Sequence, residues 1–139
     1  MAAFQTFDTT ILDLALAKHD FSGNTFKFML TNAAPSAGDS VKADITEISA
    51  GNGYSAGGVS VDLTASESGG ALSVAPDGDK TFTASGGTIG AFRYVVLYND
   101  TTTNKPLVSY YDYGSSITLN NGETLTLDVG ATILTGSLS

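Results

Sequence analysis

The segment at residues 92–98 constrains the fold most strongly, because it is apolar on both faces of a strand. Its side chains alternate between the two faces, with Phe92, Tyr94 and Val96 on one and Val95 and Leu97 on the other. A strand of this kind must be covered on both sides. The segment therefore predicts a central strand, with Arg93 near solvent at its start.

Few charged residues accompany this strand, and Gly, Ser and Thr take their place. Charged residues make up 14% of the 139 residues, against about 25% in an average globular domain. This composition favours short strands and tight turns over long solvated helices. The chain holds no cysteine and is long enough to form one core without staples. We expect a single mainly β domain over residues 1–139, an antiparallel β-sandwich or jelly-roll-like fold with one short N-terminal helix.

The predicted helix covers residues 8–18. Asp8 is a good N-cap, and the following turns carry an apolar stripe formed by Ile11, Leu12, Ala15 and Leu16. Strands are predicted at residues 25–31, 59–65, 71–75, 81–85, 107–113 and 132–138. A helical turn at residues 42–48 and a glycine-rich loop at residues 51–58 connect two of them.

A hairpin is predicted near the C-terminal end, between residues 116–119 and 124–129. A three-residue loop at residues 120–122, ending in a left-handed Gly122, places Ile117 opposite Leu125. The apolar side chains of both segments then share one face.

The charge balance predicts which partners the chain avoids. The net charge is −8, and the six basic residues are scattered along the sequence as Lys18, Lys27, Lys42, Lys80, Arg93 and Lys105. No basic stripe is present to follow a phosphate backbone, so we expect no nucleic-acid partner. No apolar segment approaches the ~18 residues of a membrane helix, and the N-terminus lacks the pattern of a signal peptide, so we expect no membrane partner.

Two features of the sequence could form chemical sites. His19 is the only histidine, and a small hydrolase would need it beside a reactive Ser or Thr; a capping or core-edge histidine is the favoured interpretation. Asp77 and Asp79 flank a glycine and could grip Ca²⁺, although a full site needs six to eight oxygens; an ordinary turn is favoured. We therefore expect no catalytic residues and no cofactor, with Asp77 and Asp79 as weak metal candidates.

A group of aromatic residues predicts an interface. Five tyrosines crowd into twenty residues, namely Tyr94, Tyr98, Tyr110, Tyr111 and Tyr113. Such rings pack across strands or anchor a protein interface more often than they stack on a sugar. We expect these tyrosines, together with Phe4, to contribute to subunit contacts. The terminal residues 1–6 and 135–139 are candidate interface arms.

An ordered set of short strings resembles a family of small structural proteins of tailed-bacteriophage particles. The strings are LTNAAP at residues 30–35, ADITEI at 43–48 with GNGY at 51–54, FRYVVLYND at 92–100 and DYGSS at 112–116. The resemblance runs over roughly residues 4–130 and implies a virion component assembled in the host cytoplasm. Size, acidity and β content suit a capsid decoration (cement) protein best. Its expected partners are the major capsid protein and further copies of itself, with a trimer favoured at three-fold sites.

Three other functions remain open from the sequence. The chain could be a receptor-binding or carbohydrate-binding module of a phage fibre or tail, using the tyrosines, or it could be a tail-tube or connector subunit. A small hydrolase built on His19 is the weakest alternative.

Overall fold

The computed structural model describes residues 5–127 and 134–137. The chain is mainly β, with 49% strand and 7% helix in several antiparallel sheets, consistent with the predicted β-sandwich. The elements are β1 Gln5–Thr6, α1 Thr10–Ala15, β2 Phe26–Thr31, a 3₁₀ turn Lys42–Asp44, β3 Val59–Val61, β4 Leu63–Ser68, β5 Ala71–Pro76, β6 Lys80–Thr83, β7 Ile89–Asn99, β8 Leu107–Leu119, β9 Thr124–Leu127 and β10 Leu134–Ser137. Within the described ranges, no helix is long and apolar enough to span a membrane.

The largest sheet has five strands in the order β1-β8-β7-β2-β3. Strand β7 lies in its centre, between β2 and β8, which confirms the predicted central strand. Val95 and Leu97 contribute to a large apolar cluster, whereas Val96 and Tyr98 contribute to a smaller one. Because neighbouring side chains of a strand point to opposite faces, these clusters cover β7 on both sides.

An irregularity in β7 changes which face Phe92 occupies. The pairing register with β8 shifts between Phe92 and Tyr94, and Phe92 packs in the large cluster with Val95 rather than with Val96. Strict alternation had placed Phe92 and Val96 on the same face. Arg93 lies within the strand instead of at its start, and its side chain is 38% exposed.

Two smaller sheets complete the fold, with strand orders β10-β5-β4 and β6-β9. The predicted strand at residues 59–65 is divided at Asp62, because β3 pairs in the large sheet and β4 pairs with β5. The N–H of Asp77 donates to the carbonyl of Asp62 at 2.8 Å. Residue 62 is therefore the corner at which the chain passes from one sheet to another.

The predicted C-terminal hairpin is wrong. Ile117 pairs with Phe92 of β7, and Leu125 pairs with Phe82 of β6. A tight turn does occur, since Glu123 N–H donates to the Asn120 carbonyl at 2.8 Å and Gly122 has φ +89°. Both strands contact the same large cluster from different sheets. The apolar alternation thus predicted the buried face of each strand but not its partner.

Helix α1 differs from its prediction in length and orientation. It covers six residues, with Thr9 rather than Asp8 at the N-cap, and its buried residues are Thr10 and Asp13. The predicted apolar stripe faces outward instead.

Candidate interaction surface

Most of the predicted tyrosine interface is buried inside the chain. Tyr94, Tyr98 and Tyr111 are at most 8% exposed, and only Tyr110 and Tyr113 are partly exposed. Phe4 lies outside the described residues. A ring this deeply buried offers no face for stacking on a sugar, and a subunit contact through these side chains stays a prediction.

The tyrosine side chains have internal roles. The Tyr98 hydroxyl donates to the Gly57 carbonyl at 2.6 Å, and the Tyr111 and Tyr113 rings meet edge to face with centroids 4.8 Å apart. Burial raises the pKa of Tyr113 to about 12 and also raises the pKa of Tyr98. These phenols therefore remain protonated and act as packing groups at neutral pH.

A carboxylate fastens the glycine-rich loop to the large sheet. Glu47 Oε2 accepts from the Tyr54 hydroxyl at 2.6 Å and from Gly57 N–H at 2.7 Å, and Lys42 lies 3.5 Å from Glu47 Oε1. The Tyr54 hydroxyl also accepts from Leu30 N–H in β2 at 3.0 Å. Burial raises the pKa of Tyr54, and its hydrogen bond to Glu47 raises it further. The Glu47 carboxylate thus holds both Tyr54 and Gly57 of the glycine-rich loop.

His19 lies at the edge of the core, as predicted. Its ring stacks on Phe21 with centroids 5.7 Å apart, and its Nδ1 lies 3.3 Å from Asn99 Nδ2. Burial lowers its pKa, against the opposing effect of Asp13. The helix ends before residue 19, so His19 does not cap it. The side chain within hydrogen-bond distance of its Nδ1 is the Asn99 amide rather than a nucleophilic hydroxyl.

Asp77 is engaged in local structure. It forms an ion pair with Lys80 at 3.4 Å and accepts from Asp62 N–H at 3.3 Å. Over the part of the chain that the structure describes, no group of three or more metal-ligating side chains is found around Asp77, Asp79 or elsewhere.

All six basic side chains form ion pairs within the chain. Their partners are Asp13 for Lys18, Asp100 for Lys27 and Lys105, Glu47 for Lys42, Asp77 for Lys80 and Asp112 for Arg93. Burial by itself would raise the pKa of Asp100. Hydrogen bonds from Lys105 and Lys27 outweigh this effect, and the pKa of Asp100 lies below its ordinary value. The remaining acidic side chains in the described ranges have no basic partner and are exposed or partly exposed, so the described surface is acidic.

The exposed apolar side chains of Ile11, Leu12 and Leu16 define a surface that we call the α1 face. They are 51%, 56% and 57% exposed, and they are the large hydrophobic residues that stand out from the described surface. Contiguous exposed apolar patches on soluble domains often mark contact sites.

Polar contacts hold α1 in this orientation. Thr10 is fully buried, and its hydroxyl donates to the Val108 carbonyl of β8 at 2.6 Å. Asp13 is also buried and pairs with Lys18 at 3.2 Å, while Leu14 packs against the large cluster. The helix therefore attaches to the sheet through Thr10, Asp13 and Leu14 and leaves the α1 face in solvent.

A groove of about 420 Å³ adjoins the α1 face. Thr9 and Leu12 line it together with Val41, Thr102 and Pro106. Exposed carboxylates lie around it: Asp8 directly precedes the helix cap, and Asp44 accepts from the N–H groups of Ser40 and Val41 at the groove wall. The turn that contains Asp39 is joined to the helix by a 2.9 Å hydrogen bond from Asp8 N–H to the Ala37 carbonyl.

Comparisons of the chain with protein families, curated proteins and solved structures find no match.

Proposed function

We propose that the chain is a structural protein of a tailed-bacteriophage particle, a capsid decoration protein that binds the outside of the head and bridges capsid subunits. The observation that carries this proposal is the surface charge. All six cations are committed to internal ion pairs, so the outer surface is acidic. Such a surface complements a basic protein lattice and is repelled by packaged DNA.

The proposed role requires a complementary surface and no chemical step, so the protein acts as a binding protein and not as an enzyme. Its partner is the major capsid protein, and its location is the virion. Trimers at three-fold positions suit the role, because symmetric lattice sites recruit symmetric clamps. Weak individual contacts are sufficient when the lattice presents many sites.

The other candidate functions have less support. A sugar-binding module would use exposed aromatic rings, and Tyr94, Tyr98 and Tyr111 are buried. A tail-tube or connector subunit is compatible with an acidic β protein, but no particular contact of the described residues favours it. Location on the particle separates these possibilities.

A mass-spectrometric copy count tests the proposed function. Tailless heads are purified from the phage whose genome encodes the chain, and the protein is counted on heads and on tails, before and after stripping with mild denaturant. We expect hundreds of copies per head that strip without dissolving the shell. Recovery on tails or fibres, with almost none on heads, would contradict the proposal.

A further inference from the structure

We infer that the α1 face is the surface through which this protein docks onto a basic protein partner. Resting on the proposed function, that partner is the outer surface of the phage shell, with an apolar depression for Ile11, Leu12 and Leu16 and basic side chains around it.

Polar contacts fix the orientation of helix α1. Thr10 and Asp13 are buried although they are polar, and their contacts with Val108 and Lys18 fix the rotation of the helix. The α1 face therefore cannot turn inward without leaving these polar groups unpaired. Contacts within the single chain therefore keep Ile11, Leu12 and Leu16 exposed.

The α1 face is smaller than a stable protein–protein interface. Three side chains exposed by about half offer at most a few hundred Å², whereas a stable interface buries about 800 Å² per partner. The α1 face alone is too small to hold two proteins together in solution. It suits an anchor that inserts into one site of a lattice, where neighbouring contacts add to it.

The carboxylates near the α1 face favour a basic partner. Asp8 directly precedes the helix cap, and Asp44 accepts from the N–H groups of Ser40 and Val41 at the groove. Lys18 also lines the groove, but its ammonium group pairs with Asp13. Two copies that met through this face would bring their carboxylates together, and an anionic membrane would be repelled in the same way. A protein surface with Lys or Arg around an apolar depression matches both parts of the site.

The experiment compares rebinding of purified variants to stripped tailless heads. The test variant is Ile11→Ser/Leu12→Ser/Leu16→Ser, and the matched control, Ala65→Ser/Ala71→Ser, changes exposed residues on β4 and β5. We expect the test variant to bind about a hundredfold more weakly, and the control to bind like the wild type. The melting temperature of each variant is measured first. Because the triple variant also loses the buried half of three side chains, binding is compared at a temperature at which every variant is fully folded.

The outcomes separate the inference from the proposed function. If the wild type binds heads and the triple variant binds equally well, the docking surface lies elsewhere and only the inference is overturned. If the wild type does not bind heads, both are overturned. Sedimentation gives a further check, since self-association of the wild type that the triple variant loses would identify a second copy as the occupant and contradict the basic partner.

Discussion

At the scale of the residue, Glu47 shows how one side chain holds two positions of a glycine-rich loop. Residues 51–58 contain four glycines around Tyr54, and glycine loses more backbone freedom on folding than any other residue. The carboxylate of Glu47 accepts from both Tyr54 and Gly57. It thereby ties the loop to β2 through the hydrogen bond from Leu30 to Tyr54.

Replacing this carboxylate should destabilise the fold. In Glu47→Ala the buried Tyr54 hydroxyl and Gly57 N–H lose their acceptor, and we expect the free energy of unfolding to fall by about 2–3 kcal/mol. Glu47→Gln keeps one acceptor oxygen and should cost less. Glu67→Ala, on the exposed strand β4, is the control and should change stability by about 0.5 kcal/mol or less. Urea unfolding measures all three, and equal stability of the Glu47→Ala and Glu67→Ala variants would contradict this role.

His19 gives the fold a pH dependence near neutrality. Burial places its folded-state pKa below the ordinary value of 6.5, so the unfolded chain binds the proton more tightly. Stability is therefore greatest above pH 6.5 and decreases as the pH falls through that value, by at most about 1.4 kcal/mol per pH unit.

Two measurements check this prediction. NMR titration of the single histidine should give a pKa below 6.5 in the folded protein. Urea unfolding at pH 7.5 and 5.5 should show a loss of stability that is absent in His19→Gln. A titration at or above 6.5, or an equal loss in the variant, would show that burial does not control the protonation of His19.

At the scale of the element, α1 carries a cost that packing within the chain does not offset. Full burial of a Leu or Ile side chain stabilises the folded state by about 1.5–3 kcal/mol. Because the three side chains of the α1 face are only half buried, the folded state lacks stabilisation on the order of 3 kcal/mol that full burial would give. The sequence predicted the stripe of Ile11, Leu12 and Leu16 but not its direction. Helical spacing shows which side chains share a face, whereas Thr10 reaches Val108 only through tertiary contacts.

The strands show the same division between local pattern and long-range pairing. Residues 92–98 are apolar on both faces, which is sufficient to predict a central strand. Residues 116–119 and 124–127 alternate as a hairpin would, yet they pair with β7 and β6. The partner of a strand depends on contacts far along the chain, and the bulge beside Phe92 leaves no mark in the alternation. Of the candidate site, the tyrosines were visible in sequence but their burial was not.

A glycine substitution tests how closely the loop approaches β2. A Cβ on Gly58 would lie 1.8 Å from the Phe28 carbonyl oxygen, and the residue has φ +88°, whereas Gly70 has a similar φ of +87° with nothing within 4 Å. Gly70→Ala should therefore cost only the backbone strain, about 1–2 kcal/mol. Gly58→Ala should cost several kcal/mol more, because backbone must move. Thermal unfolding measures both, and similar melting temperatures would mean that the loop does not pack against β2.

At the scale of the whole molecule, the charge distribution determines what the surface can bind. Because the basic side chains are neutralised internally, binding to a basic lattice should weaken with salt. We expect the affinity for stripped heads to fall between about 0.1 M and 0.5 M salt.

Paired variants locate this electrostatic contribution. Asp8→Asn/Asp39→Asn should bind more weakly and show less dependence on salt, since Asp8 precedes the helix cap and Asp39 lies in the turn hydrogen-bonded to Asp8. Glu67→Gln/Glu123→Gln has the same net charge but changes distant residues, and it should retain the wild-type salt dependence. Identical behaviour of the two variants would show that net charge alone, rather than the carboxylates around α1, drives binding.

The most direct test of the central claim is the temperature at which stripped heads rupture, measured with and without the purified protein. A decoration protein that bridges capsid subunits should raise the rupture temperature, and the effect should saturate when the lattice sites are filled. The Ile11→Ser/Leu12→Ser/Leu16→Ser variant should give no increase at the same concentration. A rupture temperature that the wild-type protein leaves unchanged, at a concentration where it covers the heads, would contradict a bridging role.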